Sequence, residues 1–177
     1  MRTFKVIFAA ILMMSVFSTG IYSQATENTA AAAQIVTPLT ISETASLHFG
    51  TMAVLAGTGG TCVLSTQGVR SQSGGVNLSA QTPMASNAGY NVSGAVNTSY
   101  AITLPASITV TETVSSSATM IISNLEARTS SAGANGLTGT LSAGGTDSFT
   151  VGGTLNVASG QVTGLYTGSF DVTVAYN

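Results

Sequence analysis

The 177-residue chain has no tryptophan, one histidine, one cysteine and three prolines, and only 6% of it is charged. Each shortage excludes a class of chemistry. His48 and Cys62 stand alone, so a His/Cys metal cluster is impossible, and the carboxylates show no ligand spacing. One Cys allows no intrachain disulfide, and Cys62 is expected to be a buried, inert thiol. A Ser-His-Asp arrangement would have to combine His48 with Asp147 or Asp171, yet no Gly-x-Ser-x-Gly elbow exposes a serine. His48, flanked by Leu47 and Phe49, is expected on the solvent side of a strand. No paired carboxylates present themselves for glycoside hydrolysis. The glycine-rich run 56–60 lacks the Lys-Ser/Thr ending of a phosphate loop and reads as a turn. No catalytic, cofactor-binding or metal-ligating residue is expected.

Cations are nearly missing as well. Arg2 and Lys5 stand at the start, and beyond residue 23 only Arg70 and Arg128 remain. Facing those two are Glu27, Glu43, Glu112, Glu126, Asp147 and Asp171, so residues 24–177 carry a net charge of about −4. Nucleic-acid binding needs several phosphate-neutralising cations and is excluded as a function. So sparse a charge leaves little to repel neighbouring copies, which suits a protein packed against itself.

Long apolar runs are confined to the first residues. Arg2 and Lys5 precede an apolar stretch, 6–17, interrupted only by Ser15, and Ile21-Tyr22-Ser23 ends on a small residue. That is the layout of a secretory signal peptide, with cleavage expected near Gln24. The run is too short to span a membrane, and no later segment approaches about 18 apolar residues, so no integral membrane segment is expected in the mature chain. The remainder, 24–177, fits one domain.

What is present is β-pattern. Past residue 23 there is no sustained 3.6-residue apolar period, and β-branched residues crowd every apolar segment. Alternation predicts strands over 33–41, 47–54, 61–66, 75–80, 90–94, 100–104, 108–113, 119–127, 137–141, 147–151, 154–157 and 166–176. Pro105 should start a turn after Leu104, and Gly144-Gly145 and Gly152-Gly153 should bracket a hairpin-like segment. Loops are expected at 115–117 and 130–135. Many short strands with glycine-rich turns imply an all-β sandwich.

The most informative stretch is 164–177. Gly164, Tyr166, Gly168, Phe170, Val172, Val174 and Tyr176 occupy every second position, opposite Thr167, Ser169, Asp171 and Thr173. One apolar and one polar face follow from that spacing. Near the other end, Ala33, Ile35, Leu39 and Ile41 share a face with Ala31 and Thr37, and Pro38 lies on the opposite one. This stretch serves either as the fold's own first strand or as a strand offered to another molecule.

The terminal pattern resembles the pilins of chaperone–usher fimbriae, whose last strand carries a Gly fourteen positions from the end, alternating hydrophobics and a penultimate Tyr. Gly164 and Tyr176 hold those places here, with Phe170, Val172 and Val174 between them. The order Gly164, Tyr166, Thr167, Gly168 looks especially like the spore-coat-U or archaic branch, as does Leu47-His48-Phe49-Gly50. The whole chain past the signal also resembles the secreted bacterial family known as domain of unknown function 4402. That likeness rests on Pro38-Leu39-Thr40-Ile41, 47–50, Gly152-Gly153-Thr154-Leu155 and the Gly-x-Tyr-x-Gly-x-Phe of 164–170.

The pilin resemblance implies an immunoglobulin-like β-sandwich missing one strand, with an apolar groove beside the C-terminal core strand. A periplasmic chaperone would cover that groove in transit, and a neighbouring subunit's N-terminal strand would replace it at an outer-membrane usher. The implied partners are therefore head-to-tail copies of the chain itself, a chaperone and an usher, in a fibre at the cell surface that supports adhesion or biofilm. The competing expectation is a self-complete secreted module that binds carbohydrate or matrix through loops such as 129–136, without polymerising.

Overall fold

The computed structural model describes residues 24–114 and 117–177. The expected signal peptide, 1–23, and two serines of the expected 115–117 loop lie outside the described residues. The chain divides into two compact units, Met1–Ile35 and Val36–Asn177. The described part of the first, 24–35, carries no strand or helix and is exposed throughout.

The second unit is all β, a sandwich of antiparallel strands without a described helix. The first five strands are β1 (Thr40–Ala45), β2 (Met52–Val54), β3 (Gly60–Leu64), β4 (Arg70–Gly74) and β5 (Val76–Leu78). Next come β6 (Ala88–Ser93), β7 (Ser99–Thr103), β8 (Ser107–Glu112), β9 (Thr119–Thr129) and β10 (Thr138–Thr140). The last are β11 (Thr146–Val157), β12 (Tyr166–Thr167) and β13 (Thr173–Tyr176). An eight-stranded sheet has the order β1-β6-β11-β9-β8-β12, with β3 joining β11 and β4 joining β3. A second sheet has the order β10-β7-β13, and β2 pairs β5 separately.

β11 is the spine. Along one edge its first half pairs β6 and its second half β3, while β9 runs along the other. Its inward residues Phe149, Val151, Leu155 and Val157 are buried, as alternation requires. The expected turn at Gly152-Gly153 does not occur; the strand runs through both. A Cβ on Gly152 would stand 2.6 Å from the Ser65 carbonyl carbon and 2.8 Å from the Thr66 nitrogen. Gly152 therefore lets the end of β3 press against β11, while a Cβ on Gly153 would meet Leu125 and Ile122 of β9 at 3.1 and 3.3 Å, beside a register shift at which Asn124 adopts φ 49°.

Two further expectations are corrected. The first strand begins at Thr40 and reaches Ala45, rather than spanning 33–41, because Pro38 cannot donate to a ladder and pairing with β6 starts only past it. β4, Arg-Ser-Gln-Ser-Gly, was not expected at all. It has no apolar residue to alternate, and β3 is its one ladder partner among the described residues.

The core falls into two clusters. One holds Phe49, Cys62, Leu64, Val76, Ile108, Val110, Ile122, Leu155 and Val157. The other holds Ala88, Val92, Tyr100, Ile102, Ala127, Leu141, Phe149 and Val151, with Tyr90 stacked on Phe149 at 5.0 Å between ring centroids. Leu47 and Leu125 pack against both. No described helix is long and apolar enough to cross a membrane.

Candidate functional site

The terminal segment keeps its alternation but not its continuity. Tyr166, Phe170, Val172, Val174 and Tyr176 are all half-buried, and the residues between them are exposed. The ladder is broken, however. β12 pairs β8 in the large sheet, β13 pairs β7 in the small one, and 168–172 belong to no strand. One unbroken strand over 166–176 is therefore corrected to two short ones.

The reason lies in the partner. β7 and β8 are consecutive but belong to different sheets, joined through Leu104-Pro105-Ala106. Six steps from Thr167 to Thr173 face eight steps from Thr111 back to Thr103, so two extra residues bulge at the Pro105 corner. Both chains turn this corner together, and the terminal segment passes from one sheet to the other. Gly168 sits tightly against β8, where a Cβ would stand 2.6 Å from the Thr109 carbonyl oxygen. At Gly164 a side chain would run into the Glu112 carboxylate. These two glycines permit close approach to β8.

The segment spans both cores. Tyr166 and Phe170 pack on the first cluster, and Val172, Val174 and Tyr176 on the second. None of them reaches the burial of Tyr100, Val92 or Val151. β13 ends one sheet and β1 ends the other, and neither has a ladder partner on its outer edge among the described residues. Leu39 and Ile41 of the N-terminal side, Leu104, and Val172, Val174 and Tyr176 all lie half-buried over the same core. These side chains line an apolar seam where the edges of β1 and β13 approach each other.

Tyr176 closes one end of the seam. Its hydroxyl donates to the Thr37 carbonyl at 2.8 Å and accepts the Ala95 N–H at 2.6 Å. Gly94 provides the space: a Cβ there would overlap the Tyr176 hydroxyl and stand 2.9 Å from Leu39 Cδ1. The four candidate donor residues are thereby divided. Ile41 pairs with Val92 of β6 and Leu39 packs on the chain's own core, whereas Ala33 and Ile35 are exposed, Ile35 at 97%. Sequence reading missed the partners of Tyr176, because Thr37 and Ala95 carry no side-chain signal for them.

Several other polar groups are bonded within the fold. His48 is half-buried rather than solvent-facing, and its Nδ1 accepts the Gly50 N–H at 2.8 Å. Asp147 accepts from the Tyr100 hydroxyl at 2.9 Å and the Ser131 hydroxyl at 2.6 Å. Burial, then that carboxylate, pushes the Tyr100 phenol well above its ordinary range. Burial also raises the Cys62 thiol, against a smaller opposing pull from Arg70. Arg70 donates to the carbonyls of Phe49, Thr51 and Ser79 at 3.0, 3.1 and 2.6 Å, stitching β4 to two loops. Among the described residues no group of three His, Cys, Asp or Glu side chains could hold a metal. A shallow cavity of about 300 Å³ lies beside the 130–133 turn, lined by Ser99, Ser131, Ala132, Thr138, Gly139, Thr140 and Asn177.

A family model described as Domain of unknown function (DUF4402) matches residues 39–176, and the chain belongs to that family. No curated protein and no solved structure matches it.

Proposed function

We propose that this member of the DUF4402 family is a structural subunit of a surface fibre, assembled by β-strand complementation between copies. The supporting observation is the seam itself: Leu39, Ile41, Leu104, Val172, Val174 and Tyr176 lie half-buried over the second core where β13 and β1 each end a sheet. Unpaired edges above apolar side chains invite an added strand, with backbone hydrogen bonds for affinity and alternating pockets for specificity. The segment to fill it is carried by the same chain. Residues 24–36 are exposed and end in Ile35 and Val36, and burying such a side chain contributes about 1.5–3 kcal/mol. Because β1 is already held in cis by β6, the donated stretch lies before Pro38, in the 24–36 arm.

In this reading the subunit is exported, is covered by a periplasmic chaperone, passes an outer-membrane usher and ends in a fibre at the cell surface that supports adhesion or biofilm. The test is electron microscopy of surface-sheared material in which mass spectrometry has identified the chain. Wild type should yield filaments, and Ile35→Asp should remove them while the folded subunit still accumulates. Normal filaments from Ile35→Asp reject the reading. A second reading, a self-complete module binding a neutral sugar, draws on the hydroxyl-lined cavity beside Ser131 and Thr140. A stable monomer that retains a glycan through those hydroxyls, without filaments, would favour it.

A further inference from the structure

We infer that Asn135-Gly136 is a self-modification site: its deamidation is held back by the folded sandwich and, once it occurs, unfastens the 130–136 loop. This is the one Asn-Gly pair in the chain. A glycine after asparagine leaves its backbone nitrogen unshielded by any Cβ, so the pair cyclises more readily than other asparagine sequences. The Gly136 nitrogen attacks Asn135 Cγ, a Cγ–N bond forms and the Cγ–Nδ2 bond breaks. Ammonia leaves, carrying the proton that the Gly136 nitrogen gives up. Water then opens the succinimide at either carbonyl, leaving aspartate or isoaspartate at 135. Water is the only co-reactant, and it reaches Asn135, which is exposed.

The fold restrains the atoms of that step. The Gly136 N–H donates to the Ala127 carbonyl at 2.9 Å, beside the bridge that pairs Arg128 with Asn135, so the attacking nitrogen is held on β9. The side-chain amide is held at both ends. Thr66 Oγ1 donates to Asn135 Oδ1 at 2.8 Å, and Asn135 Nδ2 donates to Glu126 Oε2 at 2.6 Å. Thr66 is only 5% exposed, and its carbonyl accepts from Asn87 Nδ2 and Thr150 Oγ1, each at 2.7 Å. One amide therefore fastens the loop before β10 to the turn between β3 and β4. Cyclisation swings Cγ toward the Gly136 nitrogen and breaks these bonds together, so it proceeds from the opened loop.

The product cannot rebuild the fastening. A carboxylate at 135 has no N–H to offer Glu126 and meets a like charge instead. Arg128 stands opposite 135 in the bridge and offsets part of that charge for an aspartate. An isoaspartate adds an atom to the backbone, so the Ala127–Gly136 bond and the Arg128 bridge lose their register. The released fraction therefore grows with the age of the molecule and with the time its loop spends open. The step takes place within one chain and is independent of fibre assembly.

The chain 24–177, aged in neutral buffer, tests this by peptide mass spectrometry with isoaspartate-methyltransferase labelling. In urea Asn135 should deamidate fastest of the asparagines, and in the folded chain at least about tenfold more slowly. Gly136→Ala, whose Cβ meets nothing within 4 Å, should keep the fold and slow the reaction in urea. Glu126→Ala, at an exposed position, and Thr66→Val, each checked for native circular dichroism, should raise the folded rate by about threefold or more. Chain that has formed isoaspartate should exchange its Gly136 amide faster than fresh chain, with Val151 in the spine unchanged. Equal rates in the folded chain and in urea overturn the inference, as does an Asn135 that stays intact in urea. Wild-type rates in every folded variant of Glu126 and Thr66, or unchanged Gly136 exchange after isoaspartate has formed, overturn it equally.

Discussion

Tyr176 joins three parts of the chain through one oxygen. Its ring covers the second core, and its hydroxyl ties Thr37, 139 residues earlier, to Ala95 in the connection leading to β7. Tyr176→Phe keeps the ring and removes only the hydroxyl, leaving a carbonyl and an N–H to find other partners. We expect a loss of about 1–3 kcal/mol in urea unfolding, with faster amide exchange at Ala95. Unchanged exchange at Ala95 would contradict the clasp. The apolar role of Tyr176 was legible from its place in the alternation. The hydroxyl contacts were not, because they depend on backbone atoms brought together only by the completed fold.

Strands with their own alternating side chains were readable from the chain. β7, β8 and β9 lie within two residues of the expected 100–104, 108–113 and 119–127. Strands that owe their existence to a neighbour were not. β4 has no apolar residue, and the break at 168–172 is imposed by the Pro105 corner on the facing strand. Gly152-Gly153 misled for a related reason. In a local window two glycines signal a turn, whereas here Gly152 answers a close approach by the end of β3 and Gly153 one by β9 side chains. Gly152→Ala should therefore cost about 1–3 kcal/mol, since the atoms crowding the new methyl are backbone and cannot rotate away. Gly144→Ala is the control. Its Cβ would meet only Ser142 Oγ at 3.6 Å, and its effect should stay within about 0.5 kcal/mol. Thermal melts of the two variants decide between a packing role and a turn role for the pair.

At the scale of the whole sandwich, the described residues hold a central strand paired on both sides and end strands that are not. β11 is flanked on both sides and buries its inward residues, while β1 and β13 end their sheets above half-covered side chains. With only two cations and six carboxylates beyond residue 23, ion pairs contribute little, and any strand entering the seam is held by apolar burial and backbone bonds. Such binding is measurable without a fibre. A ligand that binds only the folded state stabilises it by RT ln(1 + [L]/Kd), about 2.7 kcal/mol at a hundredfold excess over Kd. A synthetic peptide of residues 24–36, added to the compact unit Val36–Asn177, should raise Tm by roughly 2–4 °C per kcal/mol gained. The same peptide carrying Ile35→Asp should shift it far less, because the largest plug is replaced by a charge. Equal shifts from both peptides, or none at millimolar concentration, would show that the border between β13 and β1 does not accept this segment.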